Sequence, residues 1–185
     1  MFCFWIESDL ELRLVEDRHA EDLFELTEQN RDYLKQWFSY LDSHRSVEDV
    51  RRVIKSELIE FGKGVRLNAG IWFEGKLAGM AGYDRIDWSD RLADLSYWVA
   101  APLQGKGIVT KSCRALLSYA FDELKLNRVE ARCATGNPKS RAIPERLGFK
   151  QEGTIRQAQW IYDRVVDHAV YGMLSTEWQS LKKLQ

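Results

Sequence analysis

The segment Val99-Ala100-Ala101-Pro102-Leu103-Gln104-Gly105-Lys106-Gly107-Ile108-Val109-Thr110 decides the fold. Before it, Ala93, Leu95, Tyr97 and Val99 alternate as a strand with one apolar face. After it, Val109, Cys113, Leu116, Leu117, Ala120 and Leu124 recur at helical spacing. Strand, glycine-bearing loop and amphipathic helix follow without a break, and Val129, Ala131 and Cys133 then alternate as another strand. That is a strand–loop–helix–strand crossover. Glycines let backbone N–H groups approach a ligand closely, and the first helical turn adds unpaired donors with partial positive charge. The segment therefore reads either as an anion cradle suited to a diphosphate or as a plain strand-to-helix turn that uses glycine. Lys111 or Ser112 would have to be the third glycine of G-x-G-x-x-G, and the six-residue reach of a P-loop is missing, which disfavours nicotinamide cofactors and nucleoside triphosphates.

Outward from this segment the chain alternates helix and strand signals. Leu10, Leu12 and Leu14 share one face of a short strand at about 11–15, and Asp17 reads as the N-cap of a helix carrying Ala20, Leu23, Leu26 and Thr27. A short helical stretch follows Asn30, with Tyr33, Leu34, Trp37 and Leu41. Ser46 and Asp49 resemble a capping box ahead of Val47, Val50, Ile54, Leu58 and Phe61, with Gly62 as C-cap. Val65, Leu67, Ala69, Ile71 and Phe73 share a strand face, Glu74-Gly75-Lys76 turns, and Leu77, Gly79, Ala81 and Tyr83 return. Asp87 to Arg91 forms a loop. Asn137-Pro138 starts a helix that ends near Leu147-Gly148. Two strands at about 149–159 and 164–173 precede a terminal helix with Trp178. The order β-α-α-α-β-β-β-α-β-α-β-β predicts one mixed α/β (α+β) domain over residues 1–185, with a mostly antiparallel front half. Pro144, inside the helix begun by Pro138, cannot donate to the Ser140 carbonyl, and the plain expectation is a helix that ends early or tightens to 3₁₀.

Composition narrows the functions. With 27 Lys+Arg against 28 Asp+Glu, no net charge draws the chain to nucleic acid or an anionic membrane. No apolar run approaches a membrane span, and the stretch Met1 to Ile6 is too short and lacks the basic flank of a signal sequence. Cys3, Cys113 and Cys133 are odd in number and widely spaced, which argues against a disulfide framework and a metal site and favours a reducing, cytoplasmic home. Seven Trp suit pockets and subunit interfaces, including those of a homodimer or higher homo-oligomer.

Ser96-Tyr97-Trp98-Val99, Pro102 and Gln104-Gly105-Lys106-Gly107-Ile108 resemble the acyl-CoA-binding segment of the GNAT N-acetyltransferases, whose pattern is Arg/Gln-x-x-Gly-x-Gly/Ala. Gln104 and Gly107 match it, while Val109 stands where Gly or Ala is usual. Asn127 to Arg132, Asn137-x-x-Ser140-Arg141, Leu147-Gly148-Phe149 and Glu152-Gly153 are similar to the RimJ/RimL branch. So are Asn30 to Leu34, Trp37, Asp167 to Tyr171 and Glu177-Trp178. The resemblance spans nearly the whole chain. It implies a central, mostly antiparallel sheet flanked by helices, with strands splayed at the cofactor site. It implies acetyl-CoA as co-substrate and no metal.

By this resemblance Val99 and Ala100 offer backbone hydrogen bonds to the pantetheine, and an N–H near Val99 polarises the thioester carbonyl. Gly105, Gly107, Ile108, Val109 and Thr110 hold the diphosphate with Gln104 and Arg141 nearby, Lys106 adds charge or is a surface lysine, and Asn137 binds the pantetheine arm or caps its helix. Ser140 is the candidate acid for the leaving thiolate. Gln159 stands where relatives place a glutamate, so Asp84 is the candidate base by location, ahead of Asp94 and His168. Asn30, Tyr33 and Trp37, with Trp160 and Tyr162, are the candidate acceptor walls. The implied activity is N-acetylation of a protein α-amino terminus, such as a ribosomal protein's. The alternatives are transfer to a small amine (a polyamine or an aminoglycoside) and an acyl-CoA sensor without catalysis.

Overall fold

The computed structural model describes residues 3–183, so Met1 and Phe2 of the N-terminal apolar stretch lie outside the described residues. Eight strands form one sheet in the order β1-β2-β3-β4-β5-β6-β8-β7. They are β1 (Cys3–Glu7), β2 (Leu10–Leu14), β3 (Leu67–Phe73), β4 (Lys76–Asp87), β5 (Leu92–Val99), β6 (Arg128–Ala134), β7 (Lys150–Ile161) and β8 (Arg164–Leu174). The helices are α1 (Ala20–Gln29), α2 (Arg31–Leu34), α3 (Val47–Gly62), α4 (Ile108–Ser118), α5 (Pro138–Leu147) and α6 (Ser175–Lys182). All strand pairs are antiparallel except β5 with β6, which the α4 crossover makes parallel. The mixed, mostly antiparallel sheet expected from the sequence is therefore present.

Alternation along the strands separates two apolar layers. On one face Leu12, Ile71, Ala81, Tyr83 and Leu95 pack with Cys113, Leu116 and Leu117 of α4. On the other, Met80 joins Val15, Ala20, Val50 and Ile54, so α1 and α3 cover that face. The Glu74-Gly75 turn has positive φ at both residues (51° and 75°), the two-residue hairpin geometry that follows strand twist. No helix among the described residues is long and apolar enough to cross a membrane.

Several boundaries depart from the sequence reading. β1 is an additional edge strand, formed because Cys3 to Glu7 pairs with β2. Asp17 does not cap α1. It opens a 3₁₀ turn capped by Glu16, and its carboxylate accepts from Arg51 Nη1 of α3 at 2.8 Å. Ser46 does cap α3, accepting from the Asp49 N–H at 3.2 Å, but Gly62 is still helical and Gly64 takes the left-handed conformation (φ 72°). Val65 precedes β3 rather than joining it, and a bulge between Ile71 and Trp72 turns Trp72 inward. The helix through Leu124 ends in a π-helical turn over Tyr119–Glu123. There the Tyr83 hydroxyl donates to the Leu116 carbonyl and so competes for the helical ladder.

β3 and β4 run so close that a Cβ on Gly82 would lie 1.9 Å from the Leu67 carbonyl oxygen. Gly82→Ala is expected to destabilise the protein by about 2–3 kcal/mol, lowering its thermal midpoint by roughly 5–10 °C; a calorimetric scan checks this.

Candidate active site

β5 pairs with β6 only from Leu92–Arg128 to Leu95–Ala131. Beyond that, Ser96 to Val99 pair with β4 alone, and Arg132 to Ala134 with β8 alone. The two strands part. Ladder geometry fixes which backbone groups this exposes. The Ala100 N–H donates to the Ala78 carbonyl at 2.8 Å, so Ala100 faces β4. Its carbonyl accepts from Leu103 N–H at 2.9 Å. Ala100 thus has no backbone group to offer a pantetheine, contrary to the expectation. Successive residues point opposite ways, so Tyr97 and Val99 turn their N–H and C=O into the gap.

A cavity of about 630 Å³ opens from this gap. Of the expected cofactor residues, Val99, Gln104, Gly105, Gly107, Ile108, Val109, Thr110 and Asn137 line it, with Ser140, Tyr33 and Trp37. Gly105 and Gly107 both have positive φ (77° and 79°), and a Cβ on Gly105 would meet nothing within 4 Å. The loop is a nest with open space above it. The first helical bond of α4 runs from Lys111 N–H to Gly107 C=O at 3.0 Å, which leaves the N–H groups of Ile108, Val109 and Thr110 at the helix entrance. Val109 packs its side chain into the apolar core and leaves this cradle free. The donor set fits the diphosphate of coenzyme A.

Three expected residues are placed elsewhere. Lys106 reaches over the Phe73 ring, 5.8 Å away. Arg141 donates to Tyr171 Oη at 2.9 Å and lies beside Glu145, outside the cavity lining. The cations that do line it are Lys139 and Arg146, neither of which the sequence singled out. Lys139 donates to Gln104 Oε1 at 2.8 Å. Asn30 is buried and spends its amide on structure: it donates to Leu26 C=O and accepts from Ala101 N–H, both at 2.8 Å. It ties the early helices to the glycine loop and lines neither of the two large cavities.

Asn137 caps α5 by accepting from Ser140 N–H at 3.1 Å. The Ser140 hydroxyl donates to Cys133 Sγ at 3.3 Å. Burial pushes the Cys133 thiol above its ordinary pKa, so it stays protonated. Pro144 neither ends α5 early nor tightens it; the helix runs on to Leu147. The reason is Tyr97, whose hydroxyl donates to the freed Ser140 carbonyl at 2.9 Å.

A second cavity of about 600 Å³ lies on the other face of β5. Tyr40, His44, Glu57, Arg66, Asn68, Asp84 and Ser96 contribute its polar groups. The two cavities share Phe38, Tyr97 and Trp98. Asp84 sits at the rim with 56% of its side chain exposed, and the carboxylate is 4.0 Å from Arg66 Nη1. Crowding by the cavity wall raises its pKa, against a hydrogen bond from Ser96. Asp94 is held by Arg85 Nε at 2.9 Å, and His168 Nε2 lies 3.1 Å from Gln159 Oε1; none of these three lines either cavity. Trp160 points outward, 68% exposed, whereas Tyr162 Oη donates to Phe38 C=O at 3.5 Å and Arg164 stacks 5.5 Å from Trp37. The β7–β8 turn thus braces the segment that carries Phe38. No cluster of three or more metal-binding side chains occurs among the described residues.

The family model described as "Acetyltransferase (GNAT) domain" matches residues 9–150. The chain belongs to the GNAT acetyltransferases. This enzyme family uses acetyl-CoA, and membership sets aside the non-catalytic sensor. The chain is 37% identical over 183 residues to the "Putative ribosomal N-acetyltransferase YdaF" of Bacillus subtilis (strain 168), covering 98% of this chain and all of that one. It is 27% identical to the "Ribosomal-protein-serine acetyltransferase" of Escherichia coli (strain K12), covering 91% and 94%. The solved structure of the microcin C7 self immunity acetyltransferase MccE, in complex with acetyl-CoA and AMP, superposes with a TM-score of 0.88 at 26% identity, covering 91% and 94%.

Tyr97 and Pro144 should be energetically coupled. In the native background Tyr97→Phe strands the Ser140 carbonyl and is expected to cost about 1–3 kcal/mol. With Pro144→Ala, the restored N–H can take that carbonyl and the cost should shrink by about 1 kcal/mol. Urea unfolding of the two single variants and the double variant measures the coupling.

Proposed function

We propose that the chain, as one GNAT-type domain over residues 1–185, transfers acetyl from acetyl-CoA to a protein N-terminal α-amine within a ternary complex. One observation carries this reading. Two cavities approach the same strand from opposite faces and meet at Phe38, Tyr97 and Trp98, beside the open backbone of Val99. A cofactor in one and an amine in the other would come together there, so transfer needs no covalent enzyme intermediate.

Bound acetyl-CoA supplies an acyl group activated as a thioester. Val99 N–H is aimed where the thioester oxygen gains negative charge. Gly105, Gly107 and the first turn of α4 hold the diphosphate, with Lys139 and Arg146 supplying positive charge. Asn137 orients the entrance of α5, and Ser140 presents a hydroxyl proton to the departing sulfur. A thiol pKa near ~8.5 makes that proton a modest aid. The acceptor enters the second cavity, with Asp84 at its rim.

A protein acceptor is supported by the relatives named for ribosomal-protein acetylation. An α-amine also suits the site, because its pKa of about 7.7–8.0 leaves part of it neutral at cellular pH, unlike a lysine near ~10.4. The small-amine alternative draws support from the carboxylates of the second cavity.

Steady-state turnover with a peptide bearing a free Ser or Ala N-terminus, the same peptide N-blocked with a free lysine, and spermidine separates these readings. Acetylation confined to the free α-amine is expected; preferential acetylation of spermidine would favour the alternative. Gly107→Val should weaken acetyl-CoA binding about tenfold or more, roughly 1.4 kcal/mol, in isothermal calorimetry.

A further inference from the structure

Glu57 was not among the residues singled out from the sequence, yet it occupies the most informative position in the acceptor cavity. It lies on α3 between Ile54 and Phe61, on the stripe that faces the sheet. Only 24% of its side chain is exposed. Arg66 Nη1 lies 3.4 Å from its Oε1, and the same nitrogen is 4.0 Å from Asp84 Oδ1. The three side chains therefore form one cluster on the cavity wall.

That wall has a second side. A surface recess of about 470 Å³, bounded by Ser56, Glu60, Val65 and Arg85, shares Val53, Glu57, Arg66 and Asp84 with the acceptor cavity. Glu57 and Asp84 thus line both the acceptor space and an independent opening to solvent.

We propose that Glu57 takes the proton of the incoming ammonium group and releases it to water through this recess, while Asp84, held beside Glu57 by Arg66, favours that exit with its negative charge. The inference rests on the acceptor occupying the second cavity. The balance is simple. The ammonium gives one proton to the Glu57 carboxylate and becomes a nucleophile. Its nitrogen attacks the thioester carbonyl, the C–N bond forms, the C–S bond breaks, and of the two protons left on the nitrogen one stays on the amide while the other ends on the thiolate, by way of the Ser140 hydroxyl. Glu57 is reset by loss of its proton to water. This supplies a base without a carboxylate at Gln159.

The surroundings tune Glu57 for the task. Burial raises its pKa above the ordinary value; a hydrogen bond with Asn68 and the charge of Arg66 pull it back, and Asp84 raises it again. Tyr40 and His44 face the same cavity, and Asp94 adds its charge near Asp84. A carboxyl takes a proton only while it is ionised, so Glu57 loses its capacity as pH falls through its raised folded-state pKa. The kcat of the native enzyme should therefore carry an acid limb.

The test compares native enzyme, Glu57→Gln, Glu57→Asp and Asp84→Asn, using acetyl-CoA and whichever amine of the peptide and spermidine panel is acetylated. Acceptor identity is read from that choice, and the role of Glu57 from the pH profile, so the two fail separately. Glu57→Gln should lower kcat about 100-fold, abolish the acid limb and leave calorimetric acetyl-CoA affinity at the native value. Glu57→Asp should keep a displaced limb at reduced kcat, which a merely structural role would not produce. Asp84→Asn should give a smaller loss than Glu57→Gln. A native acid limb in Glu57→Gln, or an unshifted limb at native kcat in Glu57→Asp if the glutamine variant does not fold, overturns the assignment.

Discussion

β5 and β6 pair side by side as far as Leu95 and Ala131, and then they part. A ladder that ends in the middle of a sheet leaves backbone groups without partners, a condition proteins rarely tolerate in their interior. On β5 the unpaired edge is Tyr97 and Val99, since Trp98 and Ala100 face β4. The Tyr97 side chain stabilises the divergence from the other direction. Its hydroxyl reaches past Cys133 Sγ (3.6 Å) to the Ser140 carbonyl and so fixes the first turn of α5 against the gap. Pro144 leaves that carbonyl free for it. A proline that weakens a helix in isolation thereby joins the helix to the strand.

The same strand also separates the two cavities. Its odd-numbered residues, Tyr97 and Val99, belong to the face covered by α4, and Trp98 packs with the cluster under α1 and α3. A period of two is enough to place the two cavities on opposite faces while keeping them one strand apart. Asn30 links these faces. Its bonds to Leu26 and Ala101 couple the junction of α1 and α2 to the turn that begins the glycine loop. Arg31, the next residue, donates to Leu41 C=O at 2.8 Å and to His44 C=O at 2.5 Å, which holds one wall of the second cavity in place.

What the sequence revealed and what it concealed follow one physical distinction. The stripe of α4, the Asn137-Pro138 start of α5 and the alternation from Leu67 to Val99 depend on near neighbours, so they were legible. The glycine loop was legible for the same reason. The role of Ala100 depends on ladder register against Ala78, and no local pattern contains it. β1 is an edge strand with Trp5 turned outward, so it read as a short apolar run. Asp17 left its capping role for Arg51, far away in the chain. Arg141 and Arg146 look alike in sequence, and only the packing of α5 decides which lines the cavity. Glu57 did leave a trace: a carboxylate three residues after Ile54 and four before Phe61 interrupts an apolar stripe. Such an interruption marks a buried polar group that needs partners.

In the proposed mechanism the open backbone of Tyr97 and Val99 receives the cofactor. Residue-resolved amide hydrogen exchange by NMR, with and without saturating acetyl-CoA, addresses it directly. Exchange at Tyr97 and Val99 is expected to slow about tenfold or more on binding, while Trp98 and Ala100, already bonded to β4, stay as they were. Unchanged exchange at Tyr97 and Val99 in the saturated protein would contradict it.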